Sequence, residues 1–207
     1  MSRKFCLYLC LALLPMLGLA DDISLPQLLA RIRQTGQSQF RYEETRVLEL
    51  ASSPWHGQGF MLSDADGRLV KLQLQPARVI MAIADQSMYY WDPQQNQRHS
   101  AALGSAGAAA QQITVFRSLL QGRTEDLQPT YNFAAEKQGK QWLLRMTPKA
   151  EFSSDETPTI EISGDEDDQQ RRIMIRQADG ESTEYRLLKS AETQDSMQRL
   201  LQEAKGE

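Results

Sequence analysis

From Val70 to Gln75 the chain alternates strictly, with Val70, Leu72 and Leu74 apolar and Lys71, Gln73 and Gln75 polar. A period of two fits an extended strand with a dry and a wet face, and it does not fit a helix. The neighbouring segments obey the same rule. Phe40, Tyr42, Val47, Leu48 and Leu50 predict a strand ended by Ser52-Ser53-Pro54, and Gly57 to Ser63 predicts another. Asp64-Ala65-Asp66-Gly67 is a hairpin turn signal. After Pro76 come the apolar run Val79 to Ala84, a turn at Asp85-Gln86-Ser87, and the strand Met88 to Trp91 before Asp92-Pro93. Short turns between such strands imply an antiparallel meander.

The second half resumes this pattern. Strands are predicted over Tyr131 to Ala135, over Gln141 to Thr147 with Trp142, Leu144 and Met146 on one face, over Thr159 to Ser163, around Ile173 and Ile175, and over Tyr185 to Leu188. Turns fall at Gln138-Gly139, in the acidic run Gly164 to Asp168, and at Asp179-Gly180. The acidic run lacks the alternating ligands and terminal Glu of a calcium loop, so it reads as a solvated turn.

Helices punctuate the sheet. Ser24 to Gln37 has a capping Ser24, an early Pro26, and Leu25, Leu28, Leu29 and Ile32 at helical spacing, with Gly36 as a stop. Ala101 to Gln112 is a loop of small residues. Ile113, Phe116, Leu119 and Leu120 then form a short amphipathic helix ended at Gly122, an insertion between strands. Ser190 to Gly206 reads as a polar tail with Met197, Leu200 and Leu201 at helical spacing.

The first 20 residues form a different kind of segment. Arg3 and Lys4 precede an uncharged, leucine-rich run from Phe5 to Leu19, and Gly18-Leu19-Ala20 leads into Asp21-Asp22. This is the order of a secretory signal peptide cleaved after Ala20, leaving one domain over 21–207 whose last residues, 190–207, are the tail. Cys6 and Cys10 both lie within the apolar run, so lipidation at its end is not expected, and the mature chain has no cysteine for disulfides or thiol chemistry. Such a chain suits an envelope compartment and must be held by its core alone.

Charge and residue types narrow the function. The chain carries 23 basic and 27 acidic residues, which argues against nucleic acid as a partner. His56 and His99 are its only histidines and are not at metal-ligand spacing; no serine sits in a nucleophile elbow. No enzyme activity, metal or cofactor is expected. Met61, Met81, Met88 and Met146 are adaptable side chains that suit either a core or a loose apolar cavity.

The order of motifs resembles the LolA family of outer-membrane lipoprotein carriers. It is carried by Pro76, Val79 to Ala84, the turn at Asp85-Gln86-Ser87, Tyr89-Tyr90-Trp91 and Asp92-Pro93, then by Leu143-Leu144-Arg145-Met146-Thr147-Pro148-Lys149, and finally by Ile173-Met174-Ile175, Asp179-Gly180 and Tyr185-Arg186-Leu187. The resemblance implies a mainly β fold with α: a strongly curved antiparallel sheet, or half-open β-barrel, under a helical lid. It implies a monomeric periplasmic carrier that shields the acyl chains of lipoproteins or related lipids between an inner-membrane donor and an outer-membrane acceptor.

The cavity lining expected from strand alternation is Val70, Leu72, Leu74, Met81, Ile83, Met88, Tyr90, Trp142, Leu144 and Met146. The lid would contribute Leu28, Ile32, Phe116, Leu119 and Leu120. The family places an arginine on the strand before the proline. Val70 stands at the matching inward position, flanked by Arg68 and by Lys71, which alternation assigns to the wet face. That departure resembles the divergent LolA-related proteins linked to lipid or glycolipid export. Two readings compete with a carrier: a periplasmic adaptor or sensor that binds a protein partner, and a hydrolase of envelope lipids that would depend on a specific serine or histidine, with His56 and His99 the first to test.

Overall fold

The structure is a computed structural model that describes residues 24–33, 36–103, 115, 117–118, 123–153, 157–190 and 195–207. The expected signal peptide lies outside them. Helix α1 (Leu25–Ile32) begins with a capping box: Gln27 N–H donates to the Ser24 hydroxyl at 3.4 Å, and Ser24 N–H donates to Gln27 Oε1 at 3.2 Å. It is shorter than the spacing predicts, ending where Arg33 turns to an extended backbone.

Among the described residues eleven strands follow: β1 (Ser38–Val47), β2 (Trp55–Ser63), β3 (Leu69–Gln75), β4 (Val79–Ala84), β5 (Ser87–Asp92), β6 (Gln97–Ala102), β7 (Tyr131–Gln138), β8 (Gln141–Pro148), β9 (Thr159–Asp165), β10 (Gln170–Arg176) and β11 (Ser182–Lys189). Helix α2 (Met197–Lys205) comes last. The strands make one antiparallel sheet in the order β6-β5-β4-β3-β2-β1-β11-β10-β9-β8-β7, unclosed, with β6 and β7 as its edges. The first and last strands meet in the middle, where Tyr42 pairs with Leu187 and Glu44 with Tyr185.

Two consequences follow from this order. The segment 103–130 must run from one edge of the sheet to the other. Its Val115, Arg117 and Ser118 are helical, and Val115 and Leu127 are buried in the same cluster as α1. The expected lid residues Phe116, Leu119 and Leu120 lie outside the described residues. Second, the sheet must curl. Eleven strands laid flat at ~4.8 Å spacing would span about 48 Å, whereas α1 has eight residues and is ~12 Å long. Yet one face stays buried from Ile83 on β4 to Trp142 on β8.

That inner face joins Leu28 and Ile32 of α1 to Phe40, Tyr42, Met61, Leu69, Ile83, Trp142, Leu144, Met146, Ile160, Ile162, Ile173 and Leu187. The other face holds a second core, in which Leu62, Val70, Leu72, Ile80, Ala82 and Ala84 lie under Met197, Leu200, Leu201 and Ala204 of α2. The tail is therefore a packed element. Its helix is capped by Ser196, whose hydroxyl accepts from Arg199 N–H at 3.2 Å, and ends at Gly206 in the left-handed region at φ 86°. The helix is also pinned to the sheet. Arg78 donates twice to the Glu203 carboxylate (2.5 and 2.9 Å), Arg98 donates to the Glu203 carbonyl at 3.0 Å, and Lys205 pairs with Asp85 at 2.9 Å.

Candidate functional site

Pairing assigns the expected lining residues other than Leu74 to a face, and β3 comes out inverted. Val70 lies opposite Leu62 and Ala82, and Leu72 opposite Phe60 and Ile80, all within or against the core under α2. Leu74 falls where the β2–β3 register shifts, pairs with no β2 residue, and is 44% exposed. These three do not line the inner face. The residues assigned to solvent do: Lys71 lies opposite Met61 and Met81, Gln73 opposite Gly59 and Val79, and both are buried. Both faces of β3 are covered, so alternation alone could not say which set looks inward.

The other expected residues share the inner face. Met81 and Ile83 pair with Tyr90 and Met88, while Trp142, Leu144 and Met146 join Leu28 and Ile32 in the inner cluster. The indole N–H of Trp142 donates to the Asp165 carbonyl at 3.1 Å, which fixes the ring. The C-terminus of α1 is held by buried Arg171, whose Nη1 donates to the Ile32 carbonyl at 3.2 Å. A cation at this end suits the helix dipole. Packing here is dense, with Leu28, Ile32, Trp142, Leu144 and Met146 each among the core residues.

Next to this apolar region the same face carries a buried polar cluster. Glu44, 1% exposed, accepts hydrogen bonds from Arg46 Nε at 2.6 Å and the Tyr185 hydroxyl at 2.9 Å on Oε1, and from Lys71 Nζ on Oε2. Lys71 stands two strands away from Glu44 and reaches it across β2. The β2 residues opposite Glu44 and Tyr42 are Gly57 and Gly59, which put no side chain in the way. A Cβ at Gly59 would sit 1.9 Å from the Leu72 carbonyl oxygen, and one at Gly57 would strike the Trp55 ring at 2.4 Å. Lys71 Nζ also lies 5.1 and 5.2 Å from the Tyr42 and Tyr185 ring centres, within cation–π range.

The electrostatics follow from burial. Desolvation raises the Glu44 carboxyl, but Lys71 and Arg46 outweigh it and hold the group below its ordinary value. Desolvation draws Lys71 below the usual lysine value, with Glu44 opposing. Burial, reinforced by the Glu44 charge, pushes both Tyr42 and Tyr185 well up, so both remain neutral phenols.

A surface cavity of about 720 Å³ is a separate feature lined by Arg41, Glu43, Asp165, Arg172, Arg186 and Leu188 among others. Most of these side chains face away from the inner core, and the lining is too polar for an acyl chain. The two histidines are exposed, and His56 Nδ1 lies 3.2 Å from the Thr45 hydroxyl.

The fold class is thus mainly β with few helices, an open antiparallel sheet of eleven strands with one face turned inward. No family model and no curated protein matches the chain. Among solved structures it is similar to a LolA superfamily protein from Nitrosomonas europaea, with 10% identity and a TM-score of 0.42 over 80% of this chain and 92% of that one. It is also similar to a putative outer membrane lipoprotein-sorting protein domain from Vibrio parahaemolyticus, with 13% identity and a TM-score of 0.42 over 86% and 95% of the two chains.

Proposed function

We propose that this protein is a periplasmic carrier that shields the acyl chains of lipoproteins or related lipids during transfer from the inner to the outer membrane, receiving cargo from one membrane protein and passing it to another. One observation carries this reading. An unclosed sheet turns a largely apolar face inward, and helix α1 packed against that face is an amphipathic segment of eight residues. The motif order in the sequence points the same way.

The energies allow such an exchange. Releasing Leu28 and Ile32, with the partly buried Leu25 and Leu29, costs roughly 4–8 kcal/mol at about 1.5–3 kcal/mol per fully buried side chain. An acyl chain gains about 0.8 kcal/mol per buried methylene, so about ten methylenes offset the displaced helix. Cargo chains would take the place of α1 against Trp142, Leu144 and Met146.

Trp142 reports this directly. In a Trp55→Phe/Trp91→Phe variant, Trp142 is the remaining tryptophan and faces the inner core, whereas Trp91 packs against the opposite core. Brominated acyl chains should quench Trp142 strongly. They should leave Trp91 unquenched in the variant that keeps only Trp91. Equal quenching of both, or of neither, would remove the basis for an interior acyl site. The dense packing of the interior favours a second reading, a partner-binding adaptor, which predicts no quenching of Trp142.

A further inference from the structure

The polar cluster on the inner face has an unbalanced charge. Arg46 and Lys71 contribute two positive charges and Glu44 one negative, a net of +1, in a region where Glu44 and Lys71 are 1% and 9% exposed. Glu44 already accepts from Arg46, Lys71 and Tyr185, so its capacity to neutralise is used. The Tyr42 hydroxyl is buried and, among the described residues, has no hydrogen-bond partner. A buried donor left in that state is destabilising, and a ligand acceptor would relieve it. The cluster reaches the surface at Arg46, whose side chain is 37% exposed and whose guanidinium lies 4.7 Å from the Trp55 ring centre.

An unpaired buried hydroxyl beside a cluster of net charge +1, whose cation Arg46 reaches the surface, selects a ligand that is anionic and rich in acceptors. A neutral ester or an amine would leave the positive charge unmatched. We infer that Arg46, Lys71 and Tyr42 form a headgroup site for a phosphate diester, placed so that the acyl chains of the same ligand lie along the apolar part of the inner face. This rests on the carrier reading and adds the chemical class of the cargo's polar end. The phosphate oxygens would accept from the Arg46 guanidinium and the Tyr42 hydroxyl, with Lys71 supplying charge.

The test uses the full chain and two probes with identical brominated acyl chains, phosphatidylglycerol and diacylglycerol, with Trp142 quenching as the readout. Phosphatidylglycerol should bind about tenfold more tightly, the factor expected for one charge-assisted hydrogen bond. Arg46→Gln and Tyr42→Phe should each reduce that preference severalfold and leave diacylglycerol affinity unchanged. Equal affinity for the two probes, or equal losses for both in the variants, would overturn the headgroup site while leaving the carrier reading in place. Binding of neither probe would overturn both. Inorganic phosphate is the third arm. Competition at millimolar concentration supports a phosphate site, whereas phosphate binding without any lipid binding would assign the cluster to a free anion and overturn the inference.

Discussion

Replacing Lys71 by methionine tests the inner polar cluster most sharply, because the alternation of the sequence and the folded structure give opposite answers for it. If Lys71 faced water, its loss would change stability by no more than about 0.5 kcal/mol. In the structure it is 9% exposed and bonds a carboxylate that is 1% exposed. Removing one partner of a buried pair typically costs 3–5 kcal/mol. Arg46 and Tyr185 still donate to Glu44 in the variant, so the lower end applies, about 3 kcal/mol. At roughly 2–4 °C per kcal/mol for a domain of this size, the midpoint should fall by about 6–12 °C. Equilibrium urea unfolding followed by far-ultraviolet circular dichroism gives the number. A Glu44→Leu/Lys71→Met double variant should recover part of the loss, with a coupling of about 2 kcal/mol. A single variant within 0.5 kcal/mol of the parent would refute the placement of Lys71 and the cluster built on it.

Three further outcomes are expected. Gly59→Ala should cost about 3 kcal/mol in urea unfolding, because its Cβ meets the Leu72 carbonyl oxygen, whereas Gly36→Ala, with open space around it, should be within about 0.5 kcal/mol of the parent. Leu200→Ala should cost about 3 kcal/mol, since α2 anchors the second core through this residue; a surface tail would show no such loss. Glu44 is held below its ordinary value when folded, so its contribution is present above the usual carboxyl range and is lost as pH falls through the folded value. Glu161, Glu184 and Glu203, each paired with arginine, shift in the same direction. Thermal midpoints should therefore fall between about pH 6 and about pH 3, and by less in Glu44→Gln than in the parent.

The strands were largely legible because turns and proline mark their ends. Val79 to Ala84 is a strand with the bounds that the sequence predicts, and most of the others differ at their ends only. β6 was not legible. Gln97 to Ala102 has no apolar alternation because it is an exposed edge, where polar residues discourage further pairing. The face of β3 was misread for a different reason. Its apolar set packs under α2, an element that the polar composition of the tail conceals, so the inward set is the one containing Lys71 and Gln73. Gly57 and Gly59 carried the available hint, since alternating glycines in a strand mark close approach by another group. The cluster around Glu44 gave no signal in sequence because Tyr185 on β11 and Lys71 on β3 reach it from strands far away in the chain.

The central claim is that the inner face takes acyl chains, and native mass spectrometry of the protein purified from its own cells, with lipid extraction, tests it most directly. The account predicts a bound acylated species that is lost when Met146 or Leu144, both on the inner face, is replaced by a charged residue in a variant shown to remain folded. The same species should persist when Leu74, exposed and away from that face, is replaced in the same way. A clean apo mass, with no lipid taken up from added micelles, would contradict it.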